Sequence, residues 1–318
     1  MRANRNTYRP DVRDDRQFQS HPTYRPKLDI RRKECHVEGV VLQKYEKLRA
    51  LLRSYGSCLV AYSGGVDSVF LAWAARDVLG PKALAVIADS PSLPRREFEE
   101  ALAIGKQFDF PVRVVRTNEF ENPAYVSNPN NRCYFCKHEL FTHLAPLARA
   151  EDFAVVAYGE NASDIGDFRP GAQAAAEFQI RAPLKEAGLT KTEIRELSAQ
   201  FGLPTADKPQ MACLSSRVPH GEAVTEPKLK MIEAAENLLR DLGFYDVRVR
   251  HHQLGASSPL HLARIEVGAT ELSRLLNNAL ALEVTEALKK IGYSYVTLDL
   301  QGYRRGSLNP QNATQSQT

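Results

Sequence analysis

Apolar positions change period along the chain, and each change marks an element. Val41, Tyr45, Leu48, Leu52 and Tyr55 recur at three- and four-residue spacing and predict a helix that Gly56 ends. Short apolar runs at Ser57–Tyr62, Ala83–Ala88, Pro111–Arg116 and Phe153–Tyr158 read as buried strands. Helical stretches separate them: one carrying Val69 to Ala75, one over Pro94–Phe108, and one from about Cys133 to Leu147. Strand and helix in alternation predict an α/β fold with a doubly wound parallel sheet. Asn118–Arg132 reads as a loop, Gly159–Gly171 as a long polar loop at a strand's carboxyl end, and Arg181–Leu184 as a short extended piece. Thr190 with Glu193 makes a capping box that opens a helix to Phe201, and Gly202-Leu203-Pro204 stops it.

After a Pro- and Gly-containing connector through Thr225 the pattern changes. Helices at Glu226–Leu242 and Glu271–Ile291 alternate with strands at Asp246–His251, His261–Val267 and Ser294–Leu300, which predicts a small C-terminal α+β domain with two long helices on one face of its own sheet. The expected organisation is a basic extension over 1–36, the α/β domain over 37–225, the small domain over 226–305 and a tail over 306–318. Extension and tail are polar and aperiodic and are expected to be disordered.

Composition narrows this only slightly. The 318 residues are 43% hydrophobic and 25% charged, enough for a substantial core in a globular protein. No apolar run approaches the roughly 20 residues that span a bilayer, and no apolar leader opens the chain, so a cytoplasmic protein with no membrane partner is expected. The net charge is +4, and the first 33 residues hold ten Arg or Lys against four Asp. The body is therefore near neutral, which argues against a broad nucleic-acid surface, although a basic arm touching RNA or a partner is compatible with the extension. Five cysteines, Cys35, Cys58, Cys133, Cys136 and Cys213, form an odd set in which disulfides are not expected.

Chemistry enters at Ser63-Gly64-Gly65-Val66-Asp67-Ser68, between the first strand and its helix. Two glycines let the backbone approach a phosphate, the helix N-terminus favours an anion, and Ser63 and Ser68 add hydroxyls. The turn lacks both the lysine of GxxxxGK[ST] and the spacing of GxGxxG. It resembles the PP-loop, SGGxDS, of the ATP pyrophosphatases, which implies a grip on ATP's β,γ-phosphates while substrate oxygen attacks the α-phosphate. The expected ATP-binding group is Ala61, Ser63, Gly64, Gly65, Asp67 and Ser68. Asp89 and Ser90 end the second strand and are candidates for base or ribose, the plainer reading being an aspartate that starts a turn before proline. Asp67 is expected to position Mg2+ and the phosphates, and capping of the following helix is compatible with that.

Cys133-Tyr134-Phe135-Cys136 with the distant Cys213 could hold three irons of a [4Fe–4S] cluster, could bind zinc with His138 as fourth ligand, or could bind no metal. Arg248 and Arg250 alternate on a strand and share a side, where they could hold a phosphate or form a solvated basic face. His251 and His252 are adjacent on that strand, point oppositely, and so cannot act as one bidentate ligand.

Taken with Arg132-Cys133-Tyr134-Phe135-Cys136-Lys137, Gly159-Glu160-Asn161, Asp167-Phe168-Arg169-Pro170-Gly171, Gly188-Leu189-Thr190-Lys191, Asp207-Lys208-Pro209, Ala212-Cys213-Leu214-Ser215-Ser216-Arg217, Arg248-Val249-Arg250-His251-His252 and Gly302-Tyr303-Arg304-Arg305-Gly306-Ser307, the chain resembles the LarE family over about residues 37–307. The resemblance implies an ATP-dependent sulfur transferase that adenylates the carboxylates of pyridinium-3,5-biscarboxylic acid mononucleotide and converts them to thiocarboxylates for a nickel-pincer nucleotide cofactor. It also implies a closed ring of subunits. One branch of the family sacrifices the sulfur of a single cysteine, here Cys213. The other holds a [4Fe–4S] cluster on three cysteines, and the presence of Cys133, Cys136 and Cys213 favours that branch, with sulfide or another sulfur donor as partner. Ser216, Arg217, Arg304 and Ser307 lie in matched motifs and join Arg248 and Arg250 as candidates for the substrate phosphate. Glu236 matches a glutamate that the family uses at a subunit metal site, although a glutamate on an amphipathic helix is ordinarily solvated. Competing readings are a PP-loop Fe–S enzyme that thiolates tRNA, an amidating PP-loop enzyme, and a non-enzymatic nucleotide sensor or Fe–S carrier. The first lacks its zinc-ribbon cysteine pairs here, and the second its glutaminase domain.

Overall fold

The computed structural model describes residues 39–165, 170–209, 212–255 and 258–304. Helix α1 (Gly39–Tyr55) buries the stripe of Val41, Tyr45, Leu48, Leu52 and Tyr55. Strand β1 (Cys58–Tyr62), α2 (Val66–Leu79), β2 (Ala83–Asp89), α3 (Arg95–Gln107), β3 (Val112–Arg116), α4 (Pro123–Val126), α5 (Arg132–Ala150) and β4 (Val155–Tyr158) follow. The four strands form one parallel sheet in the order β3-β2-β1-β4. Cys58, Val60 and Tyr62 face a core built with α1 and α2, whereas Leu59 faces Phe141 and Leu144 of α5 on the other side. A strand covered on both faces has no polar alternation, which explains the unbroken apolar run. The strand order reverses at β1, between β2 and β4, so the crevice outside the carboxyl end of β1 is where such a sheet binds ligands.

Helices α6 (Pro170–Glu177), α7 (Pro183–Glu186), α8 (Lys191–Gln200) and α9 (Glu226–Asp241) lead to β5 (Val247–Gln253), β6 (His261–Val267), α10 (Asn278–Ile291) and β7 (Tyr295–Leu298). Strands β5-β6-β7 form a second sheet, antiparallel at β5/β6 and parallel at β6/β7. Ala235 and Leu239 of α9 and Val284 and Leu288 of α10 pack on Val247, Val249, Ala263, Ile265 and Val267, covering one face of that sheet. The architecture is thus an α/β parallel sheet with a small C-terminal sheet domain.

Three stretches differ from the sequence pattern. The loop read at Asn118–Arg132 contains α4, because Asn122 accepts from Ala124 N and Pro123 supplies a preset first helical residue. Only Arg181 bridges to the sheet, opposite Ala157, and Pro183 then opens α7 rather than continuing an extended piece. The helix expected over Glu271–Ile291 is split: Leu272–Leu276 is a 3-10 turn, and Asn277 caps α10 by accepting from Ala279 N and Leu280 N. Outside the described residues lie the extension over 1–36 with Cys35, the tail over 306–318, Asp167, Phe168 and Arg169 of the polar loop, and Ser307. Among the described residues no helix is long and apolar enough to cross a membrane.

Candidate active site at the carboxyl end of the parallel sheet

The glycine turn joins β1 to α2. Gly64 has φ +72, and a Cβ there would stand 2.7 Å from the Ala101 Cβ, so both backbone conformation and packing against α3 require glycine. Gly65 is the N-cap of α2 and makes no side-chain cap bond. Ser68 Oγ donates to Gly65 O at 3.0 Å, accepts from Ser63 N at 3.1 Å and lies 3.0 Å from Ser63 Oγ, so the two serine hydroxyls brace the turn. Gly159, just past β4, approaches so closely that a Cβ would meet Ser68 N at 3.0 Å and Asp67 Cβ at 3.1 Å. Ala61 is half-buried at the end of β1 on the α5 side.

Asp67 does not cap α2. Its carboxylate accepts from Lys191 Nζ at 2.6 Å and from Asn161 Nδ2 at 3.3 Å. Burial raises its pKa above the usual carboxylate value, with the Lys191 ammonium pulling it back. A hard, desolvated carboxylate beside the glycine turn is suitable chemistry for Mg2+. Lys208 reaches the same turn, its Nζ donating to Gly64 O at 3.5 Å and Glu100 Oε2 at 2.8 Å. Sequence reasoning assigned neither lysine a role. Lys191 carried a usable signal, because a cation in the first turn of a helix opposes the helix dipole and so calls for an external anion.

At the end of β2, Asp89 pairs with Arg95 Nη1 at 2.5 Å, and buried Ser90 donates to Glu119 Oε1. Both line a cavity of about 510 Å³ together with Arg116, Thr117, Lys230 and Glu233. The cavity therefore runs from the sheet edge to α9.

The CxxC occupies the first turn of α5, where the i, i+3 spacing puts Cys133 and Cys136 on one helix face. Cys213 precedes a 3-10 turn at Leu214–Arg217. That turn is anchored behind β2: Leu214 N donates to Ser92 O at 2.8 Å, and the Ser92, Tyr125 and Ser215 hydroxyls form a buried triangle with sides of 2.6, 2.7 and 2.8 Å. Arg132 Nη1 donates to Ser215 O at 3.0 Å, so the two cysteine-bearing segments meet. Burial pushes the Cys136 thiol well up, with further contributions from the neighbouring Cys213, Glu119 and Cys133. Among the described residues no three His, Cys, Asp or Glu side chains gather as ligands of one metal ion. His138, considered as a fourth zinc ligand, packs against Tyr134 and Phe178. Three neighbouring thiols, each able to take a different iron, fit the donor chemistry of a [4Fe–4S] cluster better than that of a single ion. Cys58 is a core thiol, pushed up to about 12 by burial.

The arginines lie above the Cys213 turn. Arg217 is 0% exposed. It donates to both Glu236 carboxylate oxygens at 2.8 and 2.9 Å and, through Nη1, to Ala212 O and Cys213 O at 2.6 and 3.0 Å. Glu236 also accepts from Val249 N at 3.0 Å, so it is buried and engaged rather than solvated. Arg250 bonds Glu266 Oε2 at 2.7 and 3.0 Å and Ser216 O at 3.0 Å. Arg248 shares that side of β5 and lies 4.8 Å from the Tyr303 ring, its pKa lowered by burial and then by the charge of Arg217. The two arginines therefore share a side without forming a solvated basic face. Arg304 is exposed. His251 is buried on the opposite side of β5, 3.3 Å from the Tyr293 hydroxyl, which separates it from His252.

No family model matches the chain. It is 45% identical over 266 residues to an uncharacterized protein, slr1717, of Synechocystis sp., covering 84% of this chain and 97% of the relative. It is 33% identical over 267 residues to the pyridinium-3,5-bisthiocarboxylic acid mononucleotide synthase of Lactiplantibacillus plantarum, covering 84% and 94%. An uncharacterized protein, MJ0830, of Methanocaldococcus jannaschii is 26% identical over 268 residues, covering 83% and 99%.

Proposed function

The chain belongs to the LarE family, that of the pyridinium-3,5-bisthiocarboxylic acid mononucleotide synthase, and we propose on that footing that it is an ATP-dependent sulfur transferase acting on pyridinium-3,5-biscarboxylic acid mononucleotide. The observation that carries the reading is the β1–α2 turn, where a helix N-terminus without a side-chain cap faces the sheet's crevice with Asp67, Asn161 and Lys191 gathered beside it. Backbone N–H groups of that turn would hold the pyrophosphate end of ATP, and Lys191 and Lys208 would offset its charge. Mg2+ at Asp67 would neutralise charge building on the leaving pyrophosphate.

A carboxylate is a poor electrophile because its oxygens do not leave. Attack of one carboxylate oxygen on the α-phosphorus expels pyrophosphate and gives an acyl adenylate. A sulfur nucleophile then adds to the acyl carbon, and AMP departs with the oxygen. Cys133, Cys136 and Cys213 would hold a [4Fe–4S] cluster whose chemistry here is to present sulfide. Arg248 and Arg250 stand on the side of β5 that faces the Cys213 turn, where Arg250 donates to Ser216 O. With Ser216 and Arg304 they would form the group that meets the substrate phosphate, while Arg217 holds the Cys213 turn.

Incubation of the reduced chain with ATP, sulfide, the mononucleotide and tRNA, followed by mass spectrometry of the chain and of both acceptors, tests the proposal. The expected product exchanges carboxylate oxygen for sulfur and leaves Cys213 intact. An unchanged mononucleotide, or sulfur appearing in tRNA instead, overturns the substrate. Loss of sulfur from Cys213 reverses its source.

A further inference from the structure

Arg132 is 4% exposed. It is the first residue of α5, adjacent to Cys133 and one helical turn before Cys136. Its Nη1 donates to the Ser215 carbonyl at 3.0 Å and to the Asn128 carboxamide oxygen. Asn128 is itself fully buried, and its Nδ2 holds Val218 O at 3.2 Å and Pro219 O at 2.7 Å. One guanidinium thus grips the Cys213 turn directly at Ser215, two residues beyond Cys213, and indirectly through Asn128 at the turn's far end.

The Nη1 of this buried side chain is committed to the Cys213 turn and to Asn128, so the guanidinium joins the start of α5 to that turn. Helix propensity does not explain an arginine at this position, since a cation in the first turn opposes the dipole.

We infer that Arg132 is the positioning residue that sets Cys213 against the Cys133–Cys136 pair, holding the sulfur-bearing turn through Ser215 and Asn128 so that the three sulfurs form one centre. The inference rests on the reading that the three cysteines act together, and the two are separable by experiment. Lysine is a poor substitute at this position, because a single ammonium on a flexible stem lacks the planar fork that fixes the turn.

The test uses the full-length, reduced, metal-free chain carrying Cys133→Ser, which leaves Cys136 and Cys213 as the pair to be measured. Dibromobimane, which fluoresces once both its arms have alkylated neighbouring thiols, reports their proximity, and peptide mapping identifies the bridge. Monobromobimane reports the reactivity of each thiol alone, and thermal melting reports the fold. The parent chain is expected to give the Cys136–Cys213 bridge. Added Arg132→Met should lower its yield by about tenfold or more, as loss of charged hydrogen bonds implies, with single alkylation retained. Arg132→Lys should recover part of the yield and covers the case in which the methionine variant melts early. A yield in both variants equal to the parent's overturns the positioning role. Absence of the bridge in the parent overturns the three-cysteine centre itself.

Discussion

Glu236 receives two N–H groups from Arg217 and one from Val249, so a single carboxylate ties α9, β5 and the Cys213 turn together. Its pKa is lowered despite burial, chiefly because the Arg217 charge and hydrogen bonds oppose desolvation. Glu236→Gln would leave the fully buried Arg217 without its counter-charge. The expected cost is about 3–5 kcal/mol of folding stability, measured as a lower urea midpoint, and a loss near zero would show that the pair is not what holds the turn. From sequence Glu236 is one acidic residue on an amphipathic helix. Its burial depends on β5 crossing beneath α9, which no local pattern announces. Arg217 is the converse case, a motif residue whose basic charge suggests phosphate but whose N–H groups are spent inside the protein. Gly64, by contrast, is legible directly, since a glycine turn between strand and helix implies the positive φ that the backbone adopts.

At the scale of elements, β5 separates two chemistries by its period of two. Val247, Val249 and His251 face the core beneath α9 and α10, while Arg248 and Arg250 face the Cys213 turn. Burial and the nearby His261, Lys228 and His252 lower the His251 pKa to about 3. In the unfolded chain the imidazole titrates near its ordinary value of 6.5. Between those values the unfolded state binds more protons than the folded state, so stability falls as pH falls. His251 contributes fully above pH 6.5, and its contribution is lost by about 1.4 kcal/mol per unit down toward pH 3. Denaturant stability measured from pH 7 to pH 4 should fall less steeply in His251→Gln than in the parent. Equal slopes would mean that His251 is not buried neutral. Alternation made the strand and the opposite facing of His251 and His252 readable in advance. The charge environment was not readable, because Lys228 and His261 arrive from other elements.

At the scale of the whole molecule, the candidate site draws on two groups of segments far apart in sequence: the β1–α2 turn with the loop after β4 and the start of α8, and the first turn of α5 with the Cys213 turn. The turn at Ser63–Ser68 and the strand–helix alternation are contiguous patterns, and both were legible. Lys191 and Asn161 were not assigned to Asp67, because only the closing of the parallel sheet brings β4 and the start of α8 beside α2. Arg132, Tyr125 and Ser92 were likewise invisible as supports of Cys213, since a buried hydroxyl triangle leaves no periodic trace. What unites these segments is the proposed activation of a carboxylate by ATP within reach of sulfur. Isotope exchange between labelled pyrophosphate and ATP, measured with and without pyridinium-3,5-biscarboxylic acid mononucleotide, tests that most directly. Exchange that requires the mononucleotide and disappears in Gly64→Ala is the expected result. Exchange at the same rate without the mononucleotide, or undiminished in Gly64→Ala, would contradict carboxylate activation at this turn.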